Sequence, residues 1–281
     1  MSGVTIFGIT GRMGQTLIRA LREASGDASA GAAAPGPGPA LQLIGAVASA
    51  TSSRLGQDAA AAGAATGVTV TADPRAALAG AAVAIDFSLP QSVAANARAC
   101  TLAQVPLLVG TTGLDAATRA ALEEAAAVIP VLIAPNTSVG VNVAARLVKL
   151  ATQALGPTYD VEILEAHHRM KRDAPSGTAL ALGEVVARAR GRSLQDVAVF
   201  DRPGSALPRV PGSIGFAVLR AGDIVGDHTV IFAVAGERVE ITHRATDRIT
   251  FARGALRAAA WLVGRPRGVY TMDDVLGIEQ P

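Results

Sequence analysis

Val4-Thr5-Ile6-Phe7-Gly8-Ile9-Thr10-Gly11-Arg12-Met13-Gly14 is the stretch on which the fold turns. Val4 to Phe7 is a β run without clear polar alternation, which marks a strand buried on both faces, as in parallel sheets covered by helices. Glycines at G-x-x-G-x-x-G spacing follow at once, and from about Gln15 to Ala24 apolar residues recur at the helical period. A strand, a glycine turn and a helix in this order offer backbone N–H groups and the positive helix end to a dinucleotide pyrophosphate. The strict G-x-G-x-x-G spacing is not met, because Thr10 and Met13 stand where its second and third glycines would be. A tight strand-to-helix turn without a ligand has the same pattern.

Outward from this stretch the alternation continues. Leu41 to Ala48, Val83 to Phe87, Pro106 to Val109 and Val131 to Ala134 read as further buried strands, with Ala-rich helical stretches at Pro90 to Gln104 and Asp115 to Ala127. Strands alternating with helices predict an α/β, doubly wound, Rossmann-like parallel sheet. Ser25 to Ala40, with its Gly-Pro-Gly-Pro run, reads as a low-complexity surface loop. Beyond Val139 the character changes. A helix from about Val141 to Leu155, a strand from Tyr159 to His167 and a helix from about Ser176 to Arg190 come first. Strands at Val197 to Phe200, Ser213 to Leu219, Thr229 to Ala235 and Arg238 to His243 follow. This predicts an α+β unit with an open mixed sheet. A last helix, Ile249 to Val263, is expected to return to the first unit. The expected domains are residues 1–138 with 248–281, and residues 139–247.

At 281 residues two domains are the natural expectation. The 25 basic and 23 acidic residues leave a net charge of +2, and no block of like charge occurs, which argues against a nucleic-acid partner. Cys100 is the sole cysteine, so neither an internal disulfide nor a Cys-rich zinc site can form, and a reducing, cytoplasmic setting is expected. No secretion signal is read at the N-terminus, and no apolar run approaches the ~20 residues needed to span a bilayer, so no membrane association is expected.

The chemistry concentrates in His167-His168-Arg169-Met170-Lys171 and Pro175-Ser176-Gly177-Thr178. His167 and His168 face opposite sides if the strand runs through them, so they cannot share one task. Histidine is the natural proton donor near neutral pH, and Lys171 can give a second proton or hold an anion. Arg169, Lys171 and Arg172 against Asp173 suit a carboxylate substrate. Ser176 is a candidate N-cap, and the start of the following helix, at Gly177 and Thr178, suits an anion; an ordinary capped helix after a basic loop has the same residues. Asp223, Asp227 and His228 sit in a Gly-rich turn and are weak as metal ligands, so no metal is expected. His243 reads as structural, and Cys100 has no histidine near it in sequence, which leaves nucleophilic hydrolysis unsupported. After the second strand the chain runs Ser49-Ala50-Thr51-Ser52-Ser53-Arg54, and Arg54 is the one charged residue between Asp27 and Asp58. A 2′-phosphate would meet hydroxyls and an arginine there, which favours NADPH over NADH, although Arg54 also reads as a solvated loop charge.

Together these motifs resemble a known family. Gly8 to Gly14, Asp86-Phe87-Ser88, Gly110-Thr111-Thr112-Gly113, Asn136 to Asn142, Glu165 to Thr178, Ile214-Gly215-Phe216 and Arg220 to Asp223 are similar, in order along nearly the whole chain, to the 4-hydroxy-tetrahydrodipicolinate reductases of lysine and diaminopimelate synthesis. The resemblance implies His167 as general acid/base and Lys171 as second proton donor. It implies His168, Gly177 and Thr178 on the carboxylates of a small cyclic dicarboxylate. For the cofactor it implies Gly8, Ile9, Thr10, Gly11, Arg12, Met13, Gly110, Thr111 and Thr112, with Ala134, Pro135, Asn136 and Thr137 at the hinge, and it places Arg248 near the domain junction. It also implies a homotetramer assembled through the open sheet. The sequence departs from the family pattern at Ser49 and Ala50, where an acid followed by arginine is often found, and at Pro135 and Thr137. An amino-acid dehydrogenase such as an aspartate dehydrogenase, and a nucleotide-sensing regulator without chemistry, are the rival readings.

Overall fold

The structure, a computed structural model, describes residues 1–25, 38–202 and 207–278. Of the expected Ser25 to Ala40 loop, residues 26–37 lie outside the described residues. The chain opens with β1 (Ser2–Phe7), α1 (Arg12–Ala24), β2 (Leu41–Val47), β3 (Val70–Thr71), α2 (Pro74–Leu78), β4 (Val83–Asp86), α3 (Pro90–Ala103), β5 (Leu107–Val109), α4 (Ala116–Ala126) and β6 (Pro130–Ile133). Next come α5 (Val139–Leu155), β7 (Asp160–His167), α6 (Gly177–Ala189), α7 (Leu194–Val197), β8 (Ala198–Val199), β9 (Ile214–Arg220), β10 (Gly226–Val234) and β11 (Glu237–Ala245). The described chain ends with α8 (Ile249–Leu262), β12 (Gly268–Tyr270) and α9 (Met272–Leu276). It divides into two compact units, Met1–Val139 with Ile249–Pro281, and Gly140–Arg248.

In the first unit seven strands pair in the order β12-β6-β5-β4-β1-β2-β3, every pairing parallel. This is the expected Rossmann-like sheet. Val4 and Ile6 of β1 pack with Leu17, Ile18 and Leu21 of α1 and with Ala252, Ala255 and Ala259 of α8. Phe7 points to the opposite layer, with Val93 and Ala97 of α3 and Leu122 of α4. Both faces of β1 are therefore dry, which is why its sequence does not alternate. The order reverses between β1 and β4, and the crevice at such a switch point is where open parallel sheets bind ligands. The helix α1 begins at Arg12, three residues before the predicted Gln15, so Met13 and Gly14 belong to its first turn. Gly14 is required there, because a Cβ would stand 2.4 Å from the Ile9 carbonyl oxygen. The short elements β3, α2, β12 and α9 escaped the sequence because two to five residues are too few to show a period.

The second unit holds a five-stranded mixed sheet ordered β11-β10-β7-β9-β8, with β10 antiparallel to β11 and β7, and β7 and β8 parallel to β9. Val161 and Ile163 of β7, Ile214 and Phe216 of β9 and Val230 and Phe232 of β10 meet Leu182 and Val186 of α6 and Val148 of α5 on one face. No helix among the described residues is part of the core on the other face. That face exposes Leu164 and Leu219, and Arg202 and Arg209 clasp Glu162 and Asp160 there. No helix among the described residues is long and apolar enough to cross a membrane.

Candidate active site

The strand β7, Asp-Val-Glu-Ile-Leu-Glu-Ala-His, alternates, so its inward face runs Val161, Ile163, Glu165, His167. The apolar core thus ends in a carboxylate and an imidazole. Glu165 is 1% exposed, and burial without partners would be costly. Four donors meet its four lone-pair sites. Arg220, which pairs with His167 in register on β9, donates Nη1 to Oε2 and Nη2 to Oε1, each at 2.8 Å. The Ser176 N–H reaches Oε1 at 3.0 Å, and His167 Nδ1 lies 2.5 Å from Oε2. Burial by itself would raise the Glu165 carboxyl, but Arg220, His167 and the Ser176 amide outweigh it, so the group is held below the usual carboxylate range. His167 is lowered, by burial first and by the cations Lys171 and Arg220, with Glu165 pulling the other way.

Ser176 caps α6 by accepting the Ala179 N–H at 3.2 Å, and its Oγ lies 3.0 Å from His228 Nε2. The His228 ring stands edge-on to His167 at 5.1 Å between centroids. Burial, and then the proximity of His167, push His228 down to about 4. Across the next strand, His243 faces His228 in register and is lowered by its own burial. In the loop, Lys171 Nζ pairs with Asp173 at 2.8 Å, which holds the Asp173 carboxyl low, and the Asp173 carbonyl accepts Arg220 Nη2 at 2.7 Å. His168, just past the strand, has its Nε2 3.3 Å from Arg248 Nη2. Arginine can only donate, so this Nε2 accepts and His168 carries its proton on Nδ1. A Cβ built on Gly177 meets nothing within 4 Å, so the start of α6 borders open space.

In the first unit the loops after β1, β4, β5 and β6 meet along one sheet edge. Gly8 has φ +75°, and a Cβ on it would stand 2.5 Å from the Phe87 carbonyl oxygen, so the first loop touches the β4 loop at the switch point. The N–H groups of Gly8 and Ile9 both go to the Val47 carbonyl at 2.9 and 3.1 Å, and that of Gly11 goes to Gly8 at 3.0 Å. Those of Thr10, Arg12 and Met13 have no partner among the described residues, and α1 has neither a capping side chain nor an acid in its first turn. Three bare donors at an uncapped helix start fit a pyrophosphate.

Two family models cover this architecture: "Dihydrodipicolinate reductase, N-terminus" over residues 2–137 and "Dihydrodipicolinate reductase, C-terminus" over residues 140–276. The chain belongs to the dihydrodipicolinate reductase family. It is 52% identical over 277 residues to the 4-hydroxy-tetrahydrodipicolinate reductase of Thiobacillus denitrificans, covering 98% of each chain. It is 50% identical over 280 residues to that of Anaeromyxobacter dehalogenans, covering 99% of this chain and 98% of the relative. Among solved structures, a dipicolinate-bound dihydrodipicolinate reductase from Paenisporosarcina has the same fold, with a TM-score of 0.70 at 21% identity over 96% of this chain and 97% of the other.

Within this family frame, the second unit gathers His167, Lys171, His168 and the Gly177-Thr178 helix start around one strand end. In the first unit, Gly110 and Thr111 are anchored through Asp86, a buried carboxylate at the end of β4. Its backbone carbonyl accepts the Gly110 N–H at 2.9 Å and its side chain the Ser88 N–H at 2.7 Å, Asn96 Nδ2 at 2.9 Å and the Thr111 hydroxyl at 3.3 Å. Thr112 and Pro135 are exposed, Ala134 is fixed by its N–H to Val109 at 2.9 Å, and Asn136 accepts the Ser138 N–H at 2.9 Å. Thr137 is buried and braced against α8. Its hydroxyl donates to the Phe251 carbonyl at 2.7 Å and its own carbonyl presses on Gly254 of α8, where a Cβ would stand 1.8 Å away. Arg54 donates Nε to Gln57 at 2.9 Å and Nη2 to the Asp58 and Ala60 carbonyls at 2.7 and 2.9 Å, so much of its guanidinium shapes its own loop. His228 lies on the inward face beside Ser176 while its neighbour Asp227 points to the other side, and no cluster able to hold a metal occurs among the described residues. Glu165, Arg220 and Asp86, which carry much of this geometry, were not singled out by the sequence as site residues. The first of them was visible as the residue two before His167, on the same strand face.

Proposed function

We propose that this chain catalyses the NAD(P)H-dependent reduction of 4-hydroxy-tetrahydrodipicolinate to tetrahydrodipicolinate in lysine and diaminopimelate synthesis. The observation that carries the reading is a buried carboxylate-bound imidazole, His167, beside a cationic loop at an open helix start. When bound, the dihydronicotinamide supplies a hydride to C4 of the ring, from which the 4-hydroxyl has left as water. His167 delivers a proton to the neighbouring carbon, so that one hydride and one proton enter and one water leaves. Lys171, held by Asp173, exchanges that partner for the substrate and supports the proton transfer. His168, through Nδ1–H, and the α6 start at Gly177 and Thr178 bind the ring carboxylates, and the cations around them stabilise charge that develops on the ring. His167→Gln should lower kcat by about 10²- to 10⁴-fold with little change in cofactor affinity, followed by loss of the dihydronicotinamide absorbance. A near-normal kcat would remove His167 from the acid role.

The Thr10, Arg12 and Met13 amides are the groups that would hold the pyrophosphate. NADPH is proposed as the preferred cofactor, because the loop from Ser49 to Arg54 offers hydroxyls and no carboxylate to a 2′-phosphate. Arg54→Ala separates its two roles. A rise in KM for NADPH alone marks a phosphate contact, whereas an equal rise for both cofactors marks a loop brace and withdraws Arg54 from the preference. A homotetramer through the sheet face at Leu164 and Leu219 is proposed as well, and a monomer in sedimentation at micromolar concentration would exclude it.

A further inference from the structure

We propose that Glu165 is a positioning residue for this reaction, orienting His167 through Nδ1 so that Nε2, beside Gly226, is the nitrogen that carries the transferred proton. The inference rests on the acid role of His167 argued above and deepens it. A carboxylate that already accepts two N–H groups of Arg220 and the Ser176 amide is an acceptor at every oxygen, and arginine cannot give up its charge to relieve it. The nitrogen 2.5 Å away must therefore donate. With Nδ1 committed to Glu165, the neutral ring has its lone pair on Nε2 and the charged ring has its mobile proton there. The space at Nε2 is kept by a missing side chain, since a Cβ on Gly226 would stand 3.0 Å from it.

The groups that face His167 decide what Glu165 contributes electrically. From β9 comes Arg220, from the loop Lys171 with Asp173, and from β10 His228, behind which lies His243 of β11. Asp173 is spent on Lys171, and His228 and His243 are both shifted toward the neutral form. Among the described residues Glu165 is thus the one anion bonded to the ring, set against two nearby cations that disfavour the imidazolium. Removing its charge while keeping its shape should make His167 a weaker base and leave its ring free to turn.

The experiment is Glu165→Gln in the full-length enzyme, with Glu165→Asp and His167→Gln alongside. For Glu165→Gln we expect kcat at neutral pH to fall about 10²-fold, within what a positioned acid contributes, with cofactor KM unchanged. The alkaline limb of the kcat profile should move to lower pH, and Glu165→Asp should bring the limb back toward the wild-type position. A pH-independent loss, with the limb in place, would mean that Glu165 only holds the fold and would overturn the proposal. If instead His167→Gln retained kcat, the acid reading itself would fall, so the two failures are distinguishable. Should Glu165→Gln not fold, ¹⁵N-histidine NMR of the wild-type enzyme decides, with the His167 signal assigned by its absence from His167→Gln. Protonated Nδ1 and bare Nε2 in the neutral ring support the proposal, and a neutral ring protonated on Nε2 overturns it.

Discussion

Acid should weaken the fold through His228 before it reaches the carboxylates. The group is buried against Ser176 and beside His167, and it holds its proton only below about 4, whereas in the unfolded chain it titrates near 6.5. Between those values the unfolded chain binds a proton that the folded chain refuses. Stability is therefore complete above 6.5 and falls as the pH drops toward 4. The slope for one such group is about 1.4 kcal/mol per pH unit, and across the whole interval the loss is roughly 3 kcal/mol, a large share of a typical domain's stability. His167 and His243 are lowered as well and act in the same direction, so the wild-type curve alone cannot isolate His228. His228→Gln can, because glutamine does not titrate and can still meet the Ser176 hydroxyl. Urea unfolding followed by circular dichroism between about pH 5 and 7 gives the comparison. Whatever the offset at neutral pH, the wild type should lose about 2 kcal/mol more than the variant by pH 5. Parallel curves across that range would refute the reasoning, since they would mean that His228 takes up its proton equally well in both states.

With His167 as the acid, kcat/KM should fall as pH rises through a value below the ordinary histidine range, because the free enzyme lowers this group. A bound dicarboxylate favours the imidazolium, so the corresponding limb of kcat should lie at higher pH, and coincident limbs would contradict the roles assigned. Thr137→Val removes the bond to the Phe251 carbonyl and should cost about 1 kcal/mol of stability without raising cofactor KM. A raised KM at unchanged stability would tie the Thr137 side chain to the cofactor instead. Asp86→Asn sets an amide N–H₂ against donors from Ser88, Asn96 and Thr111, and should cost about 1–3 kcal/mol in thermal unfolding while raising cofactor KM, because the loops after β4 and β5 share that anchor. Unchanged unfolding would show that the carboxylate is not the anchor.

Much of the fold was legible because the long elements carry strong periodic signals. The β1 run and the turn after it establish a buried parallel strand, and the helix-strand alternation after it yields the sheet class without any knowledge of pairing. The elements that escaped are those whose existence depends on a neighbour. Two residues, Val70 and Thr71, become a strand only because β2 offers them an edge, and Gly268 to Tyr270 because β6 does. Thr137 could not be placed from its neighbours either, since what turns it to α8 is a glycine more than a hundred residues later, at Gly254, that lets the two backbones touch.

The site divides in the same way, and the division explains why its motif is legible while its physics is not. His167, His168, Lys171 and the Ser176 cap lie within ten residues of one another, so their types and spacing already suggest a proton donor beside an anion site. Glu165 is also local, and the two-residue period of a strand puts it on the face of His167. What no local pattern shows is that this carboxylate is survivable. Buried alone, it would take up a proton and cease to be an acceptor. Arg220 prevents that from 55 residues away, reaching it because β9 lies parallel to β7 with His167 opposite Arg220, and Ser176, the N-cap of α6, turns its amide onto the same oxygen. The charge state of Glu165, and with it the nitrogen of His167 that holds the proton, is thus a property of the assembled sheet, although both residues stand in a single strand.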